Sequence, residues 1–244
     1  MNKAGHVSFG VALAAAGLYM LPEVLVAGEI AAMIGSAAIA SLLPDLDHKT
    51  STASNWIQLP HAYRQLAKGA SLTLLAGALL AWWMGQFPIA LSLAGVGALA
   101  FGLSKLRNVV LLVLGMILLL LFAQLHTHWL LALAGVALVI MPFLRHRGLI
   151  HAPEFALFLS VGMYYFAREQ GAMIQAAACG FTFGWWSHLL GDALGKEGIS
   201  LWLWSRARLA LRIVENGSRS EWMVAKLCNG VSVALLVFYG VNNG

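Results

Sequence analysis

Nine predominantly apolar stretches alternate with short polar breaks along the chain, at 4–21, 24–43, 70–86, 88–104, 108–125, 128–144, 152–167, 171–190 and 225–241. Each is close to the ~20 residues, within a range of ~17–25, that a helix needs to cross a hydrocarbon core. None shows the two-residue alternation of a barrel strand, and lipid cannot satisfy an open sheet edge, so the pattern predicts helices. Breaks as short as Leu-Pro-Glu at 21–23 and Gly-Gln-Phe-Pro at 85–88 require antiparallel neighbours. The expected fold is all-α: a polytopic transmembrane helical bundle of about nine spans, forming one integral-membrane domain over 1–244. Two stretches, about 49–69 and 193–224, do not fit as spans and are expected to be interfacial segments. The second mixes Trp202, Trp204 and Leu209 with Arg206, Arg208 and Arg212, as expected of an interfacial amphipathic helix before the last span.

Composition supports the same picture. Hydrophobic residues make up 60% of the 244, charged residues only 10%, and mean hydropathy is +0.79. Soluble domains carry about 25% charged residues, so a soluble globular protein is excluded. The first apolar run has no small-residue cleavage site leading into a polar domain and reads as a retained span. Cys179 and Cys228 lie inside apolar segments and read as packing residues.

Charge then sets orientation. If nine spans cross in turn, fourteen of the fifteen Lys and Arg residues fall on the side of the N-terminus and only Arg168 on the other. By the positive-inside rule that side is cytoplasmic, and nine crossings put the C-terminus on the opposite side, periplasmic in a bacterial inner membrane such as the resemblance below implies. The net charge of +5 thus reports orientation, and no nucleic-acid partner is expected.

The polar groups that interrupt the apolar pattern gather on the same side. His6 opens the first span; Pro-Asp-Leu-Asp-His at 44–48 ends the second; Arg-His-Arg-Gly-Leu-Ile-His at 145–151 follows the sixth; and His-Leu-Leu-Gly-Asp at 188–192 ends the eighth. Ionisable groups at facing helix ends in an apolar bundle point to a functional site. His188 and Asp192, four apart on a helix, share a face and can hold one cation. If 44–48 is extended, Asp45 and Asp47 point the same way and His48 the other. Gly148 lets the chain bend so that His146 and His151 both turn inward. The candidate ligands are His6, Asp45, Asp47, His48, His151, His188 and Asp192, around one to three divalent ions. Mixed imidazole and carboxylate donors suit zinc first, with manganese or iron as alternatives.

At these residues the chain resembles a known family. An N-terminal His, then Leu-Leu-Pro-Asp-Leu-Asp-His, His-Arg-Gly-Leu-Ile-His-Ala-Pro and His-Leu-Leu-Gly-Asp-Ala-Leu-Gly-Lys-Glu-Gly-Ile, is similar to the YdjM-like, LexA-regulated inner-membrane metal-dependent hydrolases, over His6 to about Ser205. Ile150 and Ala152 stand where that family usually carries Thr and Ser. The resemblance implies a hydrolase in which metal-activated water attacks an ester or phosphoester, lipid-linked substrates included, at the cytoplasmic face. Asp47, His146 and Arg147 are the candidate catalytic groups, with Arg147 suited to an anionic leaving group. Membrane lipids are the expected partners, and the oligomeric state is left open. The alternatives are a transporter or channel for a divalent cation or small solute, and a scaffold with a structural metal.

Overall fold

The computed structural model describes residues 1–47, 55, 57–125, 128–143, 148–203 and 207–243. Among them are nine α-helices, one for each predicted stretch: α1 (Lys3–Gly17), α2 (Ala27–Ala40), α3 (His61–Trp83), α4 (Phe87–Ser104), α5 (Leu106–Leu125), α6 (Trp129–Ile140), α7 (Pro153–Ala167), α8 (Ala172–Leu194) and α9 (Arg219–Asn243). Five segments are long and apolar enough to cross a membrane: Ala27–Leu46, which contains α2, together with α3, α4, α5 and α9. Among the described residues there are thus nine named helices, while length and composition alone support five crossings.

The shortfall has a physical cause. Helices α1, α6 and α7 are short, at 15, 12 and 15 residues. Helix α8 is long enough at 23 residues, but eleven of those are buried, against three of 20 in α5. A helix wrapped by protein needs small and polar residues more than lipid-soluble ones, whereas α3 to α5 and α9 show lipid-facing side chains such as Leu79, Trp83, Leu99 and Leu227. Both apolar cores use α8. One joins Ala14 of α1 and Leu18 just after it, Met33 and Ala37 of α2, Ala176 of α8 and Tyr239 of α9. The other joins Leu111, Ala137, Phe155, Trp185 and Leu189 from α5, α6, α7 and α8.

Helices α2 and α8 touch backbone to backbone. At Gly180 and Gly184, one turn apart, a Cβ would overlap the carbonyl oxygens of Met33 and Ala37. This close approach, typical of small-residue helix pairs in membranes, holds the end of α2 against the end of α8. At the opposite end of the bundle α9 is tied to the α1–α2 connection. There Tyr19 donates its hydroxyl to the Leu235 carbonyl at 2.6 Å, and the Leu25 N–H donates to the Tyr239 hydroxyl at 2.8 Å.

Two expectations for the breaks need correction. Residues 61–68 are not a separate interfacial piece: α3 begins at His61, because Ala, Arg, Gln, Leu and Lys there favour helix and continue the span past its apolar part. Nor does the described part of 193–224 form an interfacial helix. Strand β1 (Ile199–Ser200) pairs antiparallel with β2 (Arg208–Leu209). The extended chain after β2 donates from Leu211, Ile213 and Val214 to the carbonyls of Ala193 and Leu194 at 2.8–3.0 Å, satisfying groups that the end of α8 leaves open. Gly198, at φ 67°, makes the turn and leaves no room for a Cβ against Leu209.

The α2–α8 contact yields a stability test. Gly180→Ala or Gly184→Ala forces the two backbones apart and costs about 1–3 kcal/mol, seen as a lower unfolding midpoint in detergent. Gly35→Ala, where nothing lies within 4 Å of the added carbon, leaves the midpoint unchanged or slightly raised. Equal effects at all three positions would contradict the packing described.

Candidate metal site

Four segments deliver side chains to the α2–α8 junction. Asn2 caps α1 by accepting the Gly5 N–H at 2.9 Å, which starts the helix so that His6 lies in its first turn, facing inward and buried. After α2, Pro44 opens a 3-10 turn, Pro44–Asp47, that carries Asp45. A second 3-10 turn, Leu149–His151, follows Gly148 and is stopped by Pro153 at the start of α7; it carries His151. His188 and Asp192 come from one face of α8.

These five side chains converge. His188 Nε2 lies 3.2 Å from His151 Nε2, 3.7 Å from Asp45 Oδ1 and 3.6 Å from Asp192 Oδ2. His151 Nε2 lies 3.7 Å from Asp45 Oδ1 and 3.9 Å from Asp192 Oδ2. His6 approaches Asp192 Oδ1 at 3.5 Å and stacks on the His188 ring at 4.0 Å between centroids. The Met1 ammonium reaches the same Asp192 oxygen at 3.3 Å. Four of the five are 3% exposed or less, and Asp45 alone opens to solvent, at 27%.

The donor set fits a cation on three counts. Tetrahedral ligands bonded at about 2.1 Å lie about 3.4 Å apart, close to the spacings around His188 Nε2. His188 Nδ1 is 2.7 Å from the Ser41 carbonyl, which can only accept, so Nδ1 carries the proton and Nε2 offers its lone pair to the cluster. Nitrogen and oxygen donors without sulfur match zinc, manganese or iron rather than a thiolate site. Two overlapping groups, His6–Asp45–His188 and His151–His188–Asp192, share His188. A single lone pair serves one ion, so a second ion there would have to rely on His6 and the carboxylates.

Of the seven ligands expected from sequence, His6, Asp45, His151, His188 and Asp192 come together. Asp47 closes the turn that carries Asp45; its side chain, and all of His48, His146 and Arg147, lie outside the described residues. Because 44–47 is a 3-10 turn and not an extended stretch, the alternation that would align Asp47 with Asp45 does not apply. His61 and His128, the remaining described histidines, are elsewhere: His61 begins α3, and His128 Nδ1 accepts the Leu130 N–H at the start of α6.

Several supporting groups escaped the sequence pattern. The Ser41 carbonyl is backbone and leaves no side-chain signature. Gly191 makes room for the His6 ring, whose Nδ1 lies 3.1 Å from where a Cβ would sit. Glu221, fully buried, accepts the Asn2 N–H and, at 2.6 Å, the Gly217 N–H, and so fixes the start of α1. The Ser-x-x-Glu spacing of Ser218 and Glu221 does mark the start of α9, and the Glu221 N–H donates to the Ser218 hydroxyl at 3.3 Å. Nothing in that spacing points to α1.

No curated protein and no solved structure matches the chain. A family profile covers it from residue 1 to residue 242. With helices apolar enough to span a bilayer and a buried His/Asp cluster able to hold a metal ion, the chain belongs to the YdjM inner membrane protein family.

Proposed function

We propose that the chain is a membrane-embedded, metal-dependent hydrolase acting on an ester or phosphoester at the cytoplasmic face, with zinc as the first candidate and manganese or iron next. One observation carries this: the five converging donors are closed on every side except at Asp45, whose carboxylate is partly in solvent. A structural zinc site is closed, whereas a catalytic one keeps a position open to water and substrate. His151, His188 and Asp192, with His6 and Asp45 alongside, would hold such a cation, which would supply a Lewis acid able to lower the pKa of water and polarise a carbonyl or phosphoryl oxygen.

The chain's own groups do the rest. Ser41 holds His188 in the ligating tautomer. Asp45 meets incoming water at the open edge and can accept its proton. Asp47 lies two residues beyond Asp45, and His146 and Arg147 lie on the connection that carries His151, so all three are candidates for proton transfer and for binding an anionic leaving group. Transport would place the ionisable groups near the bilayer midplane on broken helices. Here His6 lies in the first turn of α1 and Asp192 in the last turn of α8, at the ends of continuous helices.

The cluster also constrains topology. Residues in one cluster at one membrane face are separated by an even number of crossings. Since α2 crosses between His6 and Asp45, α1 crosses with it. Since α3, α4 and α5 cross between Asp45 and His188, an odd number of α6, α7 and α8 must also cross. His151 and His188 bracket α7 and α8, which cross together or not at all, so α6 crosses. Helix α8 is about 35 Å long at 1.5 Å per residue, enough to span, which makes nine crossings with α9.

Two experiments test these proposals. Purified protein in detergent should hydrolyse a chromogenic phosphodiester or carboxylic ester, lose that activity on chelation and regain it with a divalent ion. Asp45→Asn should lower turnover by about 10²–10⁴-fold while the protein still inserts and purifies. Cation flux into sealed vesicles without turnover would favour transport instead. For topology, Glu169→Cys in a Cys179→Ser/Cys228→Ser background should react with a membrane-impermeant thiol reagent from the periplasmic side; protection there would reduce the count to seven.

A further inference from the structure

Beside the turn that carries Asp45 lies a second polar feature. The beginning of α3 and the α4–α5 junction enclose a cavity of about 250 Å³ lined by Arg64, Lys68, Lys105 and Arg107. No carboxylate belongs to its described lining. The positive-inside rule accounts for cations on this face, but it does not require four of them to converge on one cavity, where like charges repel.

Hydrogen bonds around the cavity occupy the side-chain oxygens of Asn108 and Gln58. Asn108 Oδ1 accepts from Arg107 Nε at 3.2 Å and Nη2 at 3.1 Å. Gln58 Oε1 accepts from Arg64 Nη1 at 2.8 Å. Arg64 Nε is shielded from solvent and has no acceptor among the described residues. The first turn of the 20-residue helix α5, Leu106 to Asn108, also lines the cavity and adds the positive end of a helix dipole. Arg107, buried at 5% exposure, places Nη1 3.4 Å from the Leu46 carbonyl, next in sequence to Asp45.

We infer that this cavity is a binding site for a phosphate group. The Arg64 guanidinium and two ammonium groups match phosphate oxygens in charge, Arg107 adds positive charge behind them, and a cationic ligand would meet like charge. The cavity sits at the ends of three membrane-spanning helices, at the level of lipid headgroups. Phosphate of a lipid headgroup and phosphate of a soluble molecule present the same chemistry there. The site does not depend on hydrolysis at the His/Asp cluster, although through Arg107 and Leu46 its occupant would sit against the turn that carries Asp45.

The test is calorimetric titration of the full chain in a neutral detergent with two probes, inorganic phosphate and dihexanoyl phosphatidate. Wild-type protein should bind at least one probe saturably. Lys68→Gln/Lys105→Gln, and separately Arg64→Gln, should weaken binding at least about tenfold. Arg208→Gln/Arg212→Gln removes the same charge as the lysine pair from exposed positions outside the cavity and should leave binding unchanged. Binding of both probes identifies the phosphate itself as the recognised group, and binding of phosphatidate alone identifies a lipid headgroup. Absence of saturable binding for both probes, or equal weakening in the Arg208/Arg212 control, would overturn the assignment.

Discussion

The hydrogen bond from His188 Nδ1 to the Ser41 carbonyl joins the two halves of the candidate site. It spans the α2–α8 junction, and it forms only because Gly180 and Gly184 let the two backbones touch. The same bond leaves the lone pair of His188 on Nε2, in the direction where His151, Asp45 and Asp192 meet. Packing of small residues and chemistry of the site are thus one constraint: if α2 moves off α8, the tautomer, the ring position and the place of Asp45 all change together.

The bilayer explains why this constraint takes the form it does. Lipid gives no hydrophobic drive for helix association, so close backbone contact and buried polar bonds must hold the bundle. Helix α8 carries most of that task, contributing to both apolar cores and presenting His188 and Asp192 at its end. Helices α3 to α5 and α9 instead expose Leu, Trp and Val outward. Burying three imidazoles and two carboxylates in such a bundle is costly unless they pair with one another or with a cation. Their mutual distances and the open edge at Asp45 suit a cation held there and reached by water.

Much of this was legible in the sequence, because a membrane imposes a simple code. Runs of apolar residues located all nine helices, and scarce charge made His6, Asp45, His151, His188 and Asp192 conspicuous. The i, i+4 spacing of His188 and Asp192 was sufficient to place both on one face. The number of crossings was less legible: α8 reads as weakly apolar because it is interior, and hydropathy measures contact with lipid, not depth in a bundle. The extended chain after β2 was missed because Trp202 and Trp204 before it, with Arg208 and Arg212, mimic an interfacial helix in sequence, while the carbonyls of Ala193 and Leu194 that it serves carry no side-chain signal. Ser41 and Gly191 were invisible for the same reason: one acts through its backbone and the other by lacking a side chain.

X-ray absorption spectroscopy of zinc-loaded protein tests the central claim most directly. Convergence of the four segments on one cation predicts a shell of nitrogen and oxygen at about 2.0–2.2 Å, with the outer-shell scattering of two or more imidazoles and no sulfur at about 2.3 Å. The imidazole signal should fall in His188→Ala. A shell of water-like oxygen only, or one that is unchanged in His188→Ala, would contradict it.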